Sequence, residues 1–318
     1  MDGLPCLVFL FLGYSAFAAA ASEGSWCYAS QQCEVLNCQE PRLWPKLYSE
    51  CGKDKQSPVN ILTRQATCND SLKAFKFIDY DVKSRHKWNM KNNGHTVIVL
   101  LDESGKVESG GLNGKYKAVQ FHFHWGSQVG KTRSPGSEHS IDGERYPMEL
   151  HIVHIKEKFS NVESAIKEKG VAVLGFFIKA GKKNSNYEPL ISNLEKIGAP
   201  EQKVEIPALP LESLIPDKKD LTSFYRYTGS LTTPACNEEV IWTLFEEPIE
   251  LEWEQIEEFW EKVYFDREKN LPMVDNFRPV QPLGARIVQK SNSNLLLPLR
   301  SALLLVPTAA FLAFTWVS

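Results

Sequence analysis

The sequence lacks an excess of charge of either sign, because 36 lysines and arginines oppose 39 aspartates and glutamates and leave a net charge of −3. It therefore has no basic surface of the kind that binds nucleic acid. Internal repeats, long low-complexity runs and linkers rich in glycine, proline and serine are also missing. A chain of 318 residues without such a division can bury one large core, so we expect a single domain.

Long apolar runs are confined to the two ends of the chain. Residues 1–21 form the first run, which ends in four alanines of the small size that suits a signal-peptidase site. The basic residues usual at the start of a signal peptide are missing, and Asp2 stands there instead. We nevertheless expect residues 1–21 to be a secretory signal peptide, cut after Ala20 or Ala21.

Residues 292–318 have the layout of a signal for a glycosylphosphatidylinositol (GPI) anchor. The small residues Ser291–Ser293 precede a polar stretch and then an apolar tail over 301–318. The tail contains Pro307 and no basic residue follows it, which disfavours a membrane-spanning helix. We predict removal of 292–318 and attachment of the anchor at Ser291, with the next two residues as alternatives, on the outer face of the plasma membrane.

Cysteines lie mostly near the start of the mature chain. Removal of the signal peptide leaves six, namely Cys27, Cys33, Cys38, Cys51, Cys68 and Cys236. An even number in a secreted chain indicates disulfides, although the spacing alone leaves many pairings open. Asn69 begins an Asn-Asp-Ser triplet beside Cys68 and is a candidate for N-glycosylation on a surface loop.

Most of the periodic segments read as strands. We predict strands where short apolar or alternating runs occur: Val97–Leu101, Ala118–Trp125, Glu149–Ile155, Val171–Ile178 and Val240–Phe245. Helical patterns are fewer: Val162–Lys169, Tyr187–Lys196 and Glu252–Tyr264. The fold class predicted for residues 22–291 is mainly β with peripheral helices (α+β), built on a large, twisted and mostly antiparallel central sheet.

A cluster of histidines is the strongest functional signal. His122 and His124 share one face of a strand whose other face carries Phe121, Phe123 and Trp125. Buried imidazoles need partners, and a divalent metal satisfies them while it keeps them neutral. A third imidazole, His151 or His154, would leave the fourth tetrahedral position of a zinc ion open for catalysis. A copper site is disfavoured because no cysteine or methionine accompanies these ligands.

The block around these histidines resembles a known signature. Ser137–His139, Tyr146 and Glu149–Val153 resemble the signature of the animal (alpha-class) carbonic anhydrases. Further blocks resemble that family in the same order: Gln56–Ile61, Asn92–His95, Gln120–Gly126, Gly229–Pro234 and Asp275–Pro279. The resemblance covers about residues 26 to 285 and, with the terminal signals and early cysteines, is greatest to the membrane-anchored type IV branch.

The resemblance implies zinc bound by His122, His124 and His151. Glu149 supports the choice of His151 over His154, because it lies two residues earlier on the same strand face and could orient that ring. The implied partners of the other two ligands are the Gln120 side chain for His122 and the Asn276 carbonyl for His124.

The resemblance also implies the reaction, the hydration of carbon dioxide to bicarbonate by zinc-bound hydroxide. Thr232 would accept the hydroxide proton and donate its own to Glu138, although Thr232 could otherwise be a plain turn residue. His95 would shuttle protons to buffer, since an ordinary imidazole pKa near 6.5 suits that task, although it could be a surface residue. The substrate would lie against residues that could also be core: Val153, Val173, Leu231, Val240 and Trp242, with Thr233 nearby.

The type IV pattern implies disulfides Cys27–Cys38 and Cys51–Cys236, which leaves Cys33 and Cys68 to pair with each other. Carbon dioxide and bicarbonate are the expected small-molecule partners, and bicarbonate transporters are candidate protein partners. Two other functions are possible alternatives, an acatalytic binding module and a secreted zinc esterase. An acatalytic binding module would lack a metal histidine, whereas all three are present. A secreted zinc esterase has no support from a His-Glu-x-x-His helix.

Overall fold

The computed structural model describes residues 25–33, 37–103 and 105–292. The strands are β1 (Asn60–Ile61), β2 (Thr67–Asn69), β3 (Phe75–Ile78), β4 (Trp88–Asn92), β5 (Val97–Leu100), β6 (Lys106–Ser109), β7 (Tyr116–Trp125), β8 (Ser127–Val129), β9 (Thr132–Ser134), β10 (Ser140–Ile141), β11 (Met148–Lys156), β12 (Val171–Ala180), β13 (Lys203–Ile206), β14 (Phe224–Ser230), β15 (Glu238–Leu251) and β16 (Gln289–Ser291). The α-helices are α1 (Trp44–Leu47), α2 (Val162–Lys167), α3 (Glu188–Ile191) and α4 (Trp253–Lys262). Short 3-10 turns cover Ala29–Gln31, Pro41–Leu43, Ser49–Gly52, Thr63–Gln65, Ser185–Tyr187, Leu194–Ile197, Leu211–Leu214 and Lys218–Asp220.

Twelve strands form one central sheet, in the order β13-β4-β5-β7-β11-β12-β15-β14-β16-β2, with β3 and β6 paired beside β7. The pairs β12–β15 and β16–β2 are parallel, and the other pairs in this sheet are antiparallel. The predicted fold class, a mostly antiparallel sheet with few peripheral helices, is therefore confirmed. Two-stranded sheets β1–β10 and β8–β9 lie beside it.

The central strands are buried on both faces because their side chains are apolar at nearly every position. β11 and β12 each have eight consecutive buried residues. One face packs into the main core, which includes Phe121, Phe123 and Trp125 of β7. The other face carries a smaller apolar cluster, which includes Val153, Val173 and Trp242. The candidate metal ligands His122 and His124 of β7 and His151 of β11 lie on this second face.

All five predicted strands are present, and one of the three predicted helices is interrupted. The prediction over 187–196 is wrong in part, because α3 ends at Ile191 and a 3-10 turn follows. Ser192 and Asn193 donate side-chain hydrogen bonds to the Glu188 and Pro189 carbonyls, at 2.7 and 2.9 Å. Such local bonds compete with regular helix and explain the break.

The described residues contain two disulfides, Cys27–Cys38 and Cys51–Cys236. Cys33 and Cys68 are free thiols, so the expected third bridge is wrong. The physical reason is position: Cys33 lies against the Cys27–Cys38 bridge, whereas Cys68 is exposed on the edge strand β2.

The signals predicted at the two ends of the chain lie mostly outside the described residues. The predicted signal peptide (1–21) lies outside the described residues, and so does the predicted anchor signal after its first residue, Asn292. Among the residues that the structure describes, no helix has both the length and the apolar character needed to cross a membrane.

Candidate metal centre and its surroundings

Three imidazoles converge on the second face of the sheet. Antiparallel pairing of β7 with β11 places His151 directly opposite His122, and alternation places His124 on the same face as His122. One ring nitrogen from each of the three lies within 4.8 Å of the others. His122 Nε2 and His151 Nδ1 are 3.3 Å apart, so both point into the shared centre.

The other nitrogen of each ring is held by an oxygen outside the centre. The pairs are His122 Nδ1 with Gln120 Oε1 at 2.9 Å, His124 Nδ1 with the Asn276 carbonyl at 2.8 Å, and His151 Nε2 with Glu149 Oε1 at 2.7 Å. A carbonyl or carboxylate oxygen accepts a proton from the outer nitrogen, which leaves the inner nitrogen as a lone-pair donor.

The environment of His124 Nε2 is the strongest structural indication of a metal site. This nitrogen is fully buried and has no hydrogen-bond partner among the described residues. A buried nitrogen without a partner is costly unless a further ligand, such as a metal ion, satisfies it. Three neutral imidazole donors around one point suit a tetrahedral zinc ion with one position left open.

The electrostatics favour neutral ligands beside one charged carboxylate. Burial lowers the pKa of His122 well below its ordinary value, and the neighbouring His124 and His151 lower it further. Burial alone would raise the pKa of Glu149, but His139 and His151 hold it well below the usual range. Glu149 is therefore ionised, as a hydrogen-bond acceptor for an imidazole should be.

His154, the alternative third ligand, lies elsewhere. Its Nε2 contacts the Tyr80 hydroxyl at 2.6 Å, and its Nδ1 contacts the Ile152 carbonyl at 2.9 Å. Both ring nitrogens are thus occupied away from the histidine centre. The structure brings His151, and not His154, to His122 and His124.

Glu138 borders the centre. Its Oε1 accepts the Arg278 backbone N–H at 2.8 Å, and its Oε2 lies 3.4 Å from His124 Nε2. This Oε2 is buried and has no hydrogen-bond partner in the described chain. Thr232 is 5% exposed and lies in the bend after β14, and the structure records no hydrogen bond between its hydroxyl and Glu138 within the described residues.

The comparisons with known proteins agree with this centre. The model of the eukaryotic-type carbonic anhydrase family matches residues 39–292, which span the sheet and all three histidines. This chain belongs to that family. Carbonic anhydrase 4 of Rattus norvegicus is 40% identical over 315 residues, covering 98% of this chain and 99% of the relative.

Further relatives extend the comparison. Carbonic anhydrase 4 of Oryctolagus cuniculus is 42% identical over 308 residues, covering 96% of this chain and 97% of the relative. Carbonic anhydrase 15 of Mus musculus is 35% identical over 292 residues, covering 88% and 87%. The chain is therefore a carbonic anhydrase, an enzyme that interconverts carbon dioxide and bicarbonate.

The apolar wall expected in this carbonic anhydrase is assembled beside the centre. Val153, Val173 and Trp242 are directly paired across β11, β12 and β15. Val240 and Leu231 belong to the same cluster. The centroids of the Trp242 and His151 rings are 4.8 Å apart, so the apolar wall extends to one of the three candidate metal ligands. Thr233 lies in the adjoining bend, where its carbonyl accepts the Cys236 N–H at 2.8 Å.

His95 lies at the edge of this carbonic anhydrase site, in the bend between β4 and β5. Its backbone N–H donates to Asn93 Oδ1 at 2.9 Å, and its carbonyl accepts from Asn276 Nδ2 at 3.1 Å. The ring stacks on Trp26, with centroids 3.6 Å apart and planes inclined by 11°. Burial in this stack lowers the pKa of His95 to about 4, so the expected ordinary imidazole pKa does not apply to this orientation.

Sequence reasoning missed an outer layer of support. His139 donates its backbone N–H to Glu149 Oε2 at 2.8 Å, its Nδ1 lies 2.7 Å from Glu149 Oε1, and its Nε2 contacts the Tyr227 hydroxyl at 2.6 Å. Tyr227 in turn contacts Ser57 Oγ at 2.8 Å. The resemblance named the block that holds His139, but only the fold brings residues 57, 149 and 227 together.

Gly175 was also missed. It lies opposite His151 across β11 and β12. A Cβ at this position would lie 2.5 Å from Leu244 Cδ1 and 3.4 Å from Glu149 Oε1. A larger residue here would therefore displace the end of the Leu244 side chain, whereas the Glu149 carboxylate is at ordinary contact distance.

Proposed function

We propose that this carbonic anhydrase hydrates carbon dioxide with a zinc ion held by His122, His124 and His151. The observation that carries the proposal is the buried, unpartnered Nε2 of His124 beside two further imidazoles whose outer nitrogens are already bound. When bound, zinc supplies a nucleophile near neutral pH by lowering the pKa of its water ligand to about 7, a value established for carbonic anhydrases themselves. Imidazole is an uncharged ligand when it binds a metal, so three such ligands would leave the metal its full positive charge.

Glu138 and Thr232 are proposed to orient the nucleophile. Glu138 Oε1 is held by the Arg278 N–H, and its Oε2 needs a donor because it is buried without one. The Thr232 hydroxyl would donate to that oxygen, which would leave its own lone pairs as acceptors for the proton of the attacking group. Carbon dioxide would lie against Val153, Val173 and Trp242, a dry wall that suits an apolar substrate.

Zinc and activity should be found together in the purified protein lacking residues 293–318. We expect one zinc per chain by elemental analysis and fast carbon dioxide hydration that a chelator removes and added zinc restores. Active protein without a stoichiometric metal would contradict the proposal. Full zinc with no hydration would instead favour an acatalytic module, and ester hydrolysis alone would favour a zinc esterase.

His95 is proposed to carry protons between the centre and buffer. In the stack with Trp26 its pKa is about 4, so the ring is neutral at pH 7 and is a weak proton acceptor there. We propose that it works when it turns away from Trp26 into water, where its pKa returns toward the ordinary value.

The variant His95→Ala should slow turnover by about 10-fold or more in weak buffer, within the range that positioned proton-transfer groups contribute. Added imidazole should restore much of the rate, because it replaces the missing ring. The matched control is His86→Ala, which removes an exposed histidine from the connection between β3 and β4. Stopped-flow hydration assays decide the matter, and equal rates for His95→Ala and the parent in weak buffer would remove His95 from the mechanism.

We further propose that the enzyme is secreted and attached by a GPI anchor to the outer face of the plasma membrane. Ser291, the proposed attachment residue, ends β16, and its hydroxyl donates to the Thr222 carbonyl at 2.8 Å. An anchor there would follow the folded domain directly and hold the active site near the membrane surface. A position at that surface would allow exchange of bicarbonate with transporters in the same membrane.

Phosphatidylinositol-specific phospholipase C should release active enzyme from intact cells into the medium. The release should approach that of a known GPI-anchored protein on the same cells. Activity that stays with the cells while the reference protein is released would favour a membrane-spanning tail.

Asn69 is the proposed glycosylation site. It is half-buried on β2, and its Nδ2 donates to Gln289 Oε1 at 2.9 Å. A glycan on Nδ2 would therefore have to replace this bond to β16.

A further inference from the structure

Cys33 lies beside an existing disulfide. The sulfur atoms of Cys27, Cys33 and Cys38 all lie within 4.8 Å of one another, and Cys33 is a free thiol. The Cys33 thiol donates to the Tyr28 carbonyl at 3.2 Å, which holds it against the Cys27–Cys38 bridge. Disulfides are exchanged when a thiolate attacks one of their sulfurs. The attacking group and the bond to be broken are therefore already in one place.

The exposure of the cysteine residues favours one change of pairing. Cys33 and Cys38 line the same surface groove, and Cys38 is 7% exposed. Cys27 is only 1% exposed. Cys38 lies in the wall of this groove, so a thiolate released from it would be nearer to water than one released from Cys27, where burial makes a charge more costly. Attack is therefore favoured at Cys27 Sγ, with Cys38 as the leaving group.

We propose that Cys27, Cys33 and Cys38 form a disulfide-exchange site in which Cys27 pairs with either Cys38 or Cys33. The Cys33 thiol gives its proton to water, and the resulting thiolate attacks Cys27 Sγ. The Cys27–Cys38 bond breaks as the Cys27–Cys33 bond forms, and the Cys38 thiolate takes a proton from water. One disulfide replaces another, so the step consumes no oxidant or reductant.

Two features set the rate and the consequence of this exchange. Burial and the nearby Glu40 carboxylate raise the pKa of Cys33, so little thiolate exists at neutral pH and the exchange is slow there. Glu40 is itself paired with Arg42 at 2.8 Å. Cys27 stays in a disulfide in both forms, so the reactive thiol moves between two positions along the groove while the segment that carries Trp26 remains cross-linked.

The position of the free thiol tests the proposal directly. The mature protein, which lacks residues 1–21 and therefore Cys6, carries Cys68→Ser to remove the other, exposed free thiol. It is incubated at alkaline pH and then alkylated with N-ethylmaleimide. Peptides from a non-reducing digest are identified by mass spectrometry. We expect one label per chain, divided between Cys33 and Cys38, with the share on Cys38 rising with incubation time. Label confined to Cys33 at every time would overturn the proposal.

Two further variants complete the test. The first shows whether label on Cys38 comes from exchange or from reduction of the disulfide, and the second shows whether Cys33 can reach Cys27. In Cys33→Ser with Cys68→Ser, no cysteine should be labelled, and label on Cys38 there would show that exchange is not its source. In Cys38→Ser with Cys68→Ser, refolded with glutathione disulfide as the oxidant, Cys27 should pair with Cys33. If these two cysteines instead remain thiols or carry glutathione, the proposal is overturned.

Discussion

Replacing His122 with alanine should abolish the hydration of carbon dioxide and release the metal. The ring lies opposite His151 and is held by Gln120 at 2.9 Å, so its removal takes away one of three converging nitrogens and leaves a gap that water fills. The loss of activity should exceed the roughly 10- to 100-fold that changes in the outer partners of metal ligands cost. Stopped-flow hydration and elemental analysis of the dialysed protein measure both effects.

The matched control is His154→Gln, which changes a buried histidine on the neighbouring strand β11. His154 contacts Tyr80 and the Ile152 carbonyl, so the variant should lose stability but keep one zinc per chain and most of its activity. Full activity of His122→Ala, or loss of zinc from folded His154→Gln, would contradict the assignment of the ligands.

The metal centre illustrates how much of a site the sequence can predict. Strand alternation places His122 and His124 on one face, and the same rule puts Glu149 and His151 together. His154 is three residues from His151 and so belongs to the opposite face, where it bonds to Tyr80. Local periodicity therefore suffices to find residues that share one face of a strand, whereas the choice of His151 as the third ligand came from the family resemblance, with support from Glu149.

The parts that the sequence could not predict depend on contacts between distant segments. Tyr227 reaches His139 across 88 positions of sequence, and no local pattern marks either residue as a partner of the other. Cys33 and Cys68 were paired only because they remained after the other assignments, and the fold places them apart. The stack of His95 on Trp26 likewise joins segments whose approach is set by the fold, and that approach determines the pKa of His95.

Removing the Cys51–Cys236 disulfide, which lies within the main core, should cost more stability than removing the other disulfide of the described residues. The bridge spans 185 positions of sequence, so it restricts the unfolded chain strongly. By the loop-closure argument its loss in Cys51→Ala with Cys236→Ala should lower the free energy of unfolding by about 5 kcal/mol. Cys236 also follows Thr232 by four residues, and the Cys51 carbonyl accepts from Arg278 Nη2 at 3.0 Å, so activity should fall as well.

The short disulfide provides the comparison that tests this reasoning. Cys27–Cys38 spans 11 positions, so Cys27→Ala with Cys38→Ala should lower the free energy of unfolding by only about 3 kcal/mol by the same argument. Guanidinium unfolding of both variants and of the parent, without reductant, gives the two losses from midpoints and slopes. Cys51 and Cys236 belong to the main core, whereas Cys27 and Cys38 belong to neither apolar cluster, so lost packing acts in the same direction as loop length. Both effects predict the larger loss for the long bridge, and equal losses would contradict the loop-closure argument.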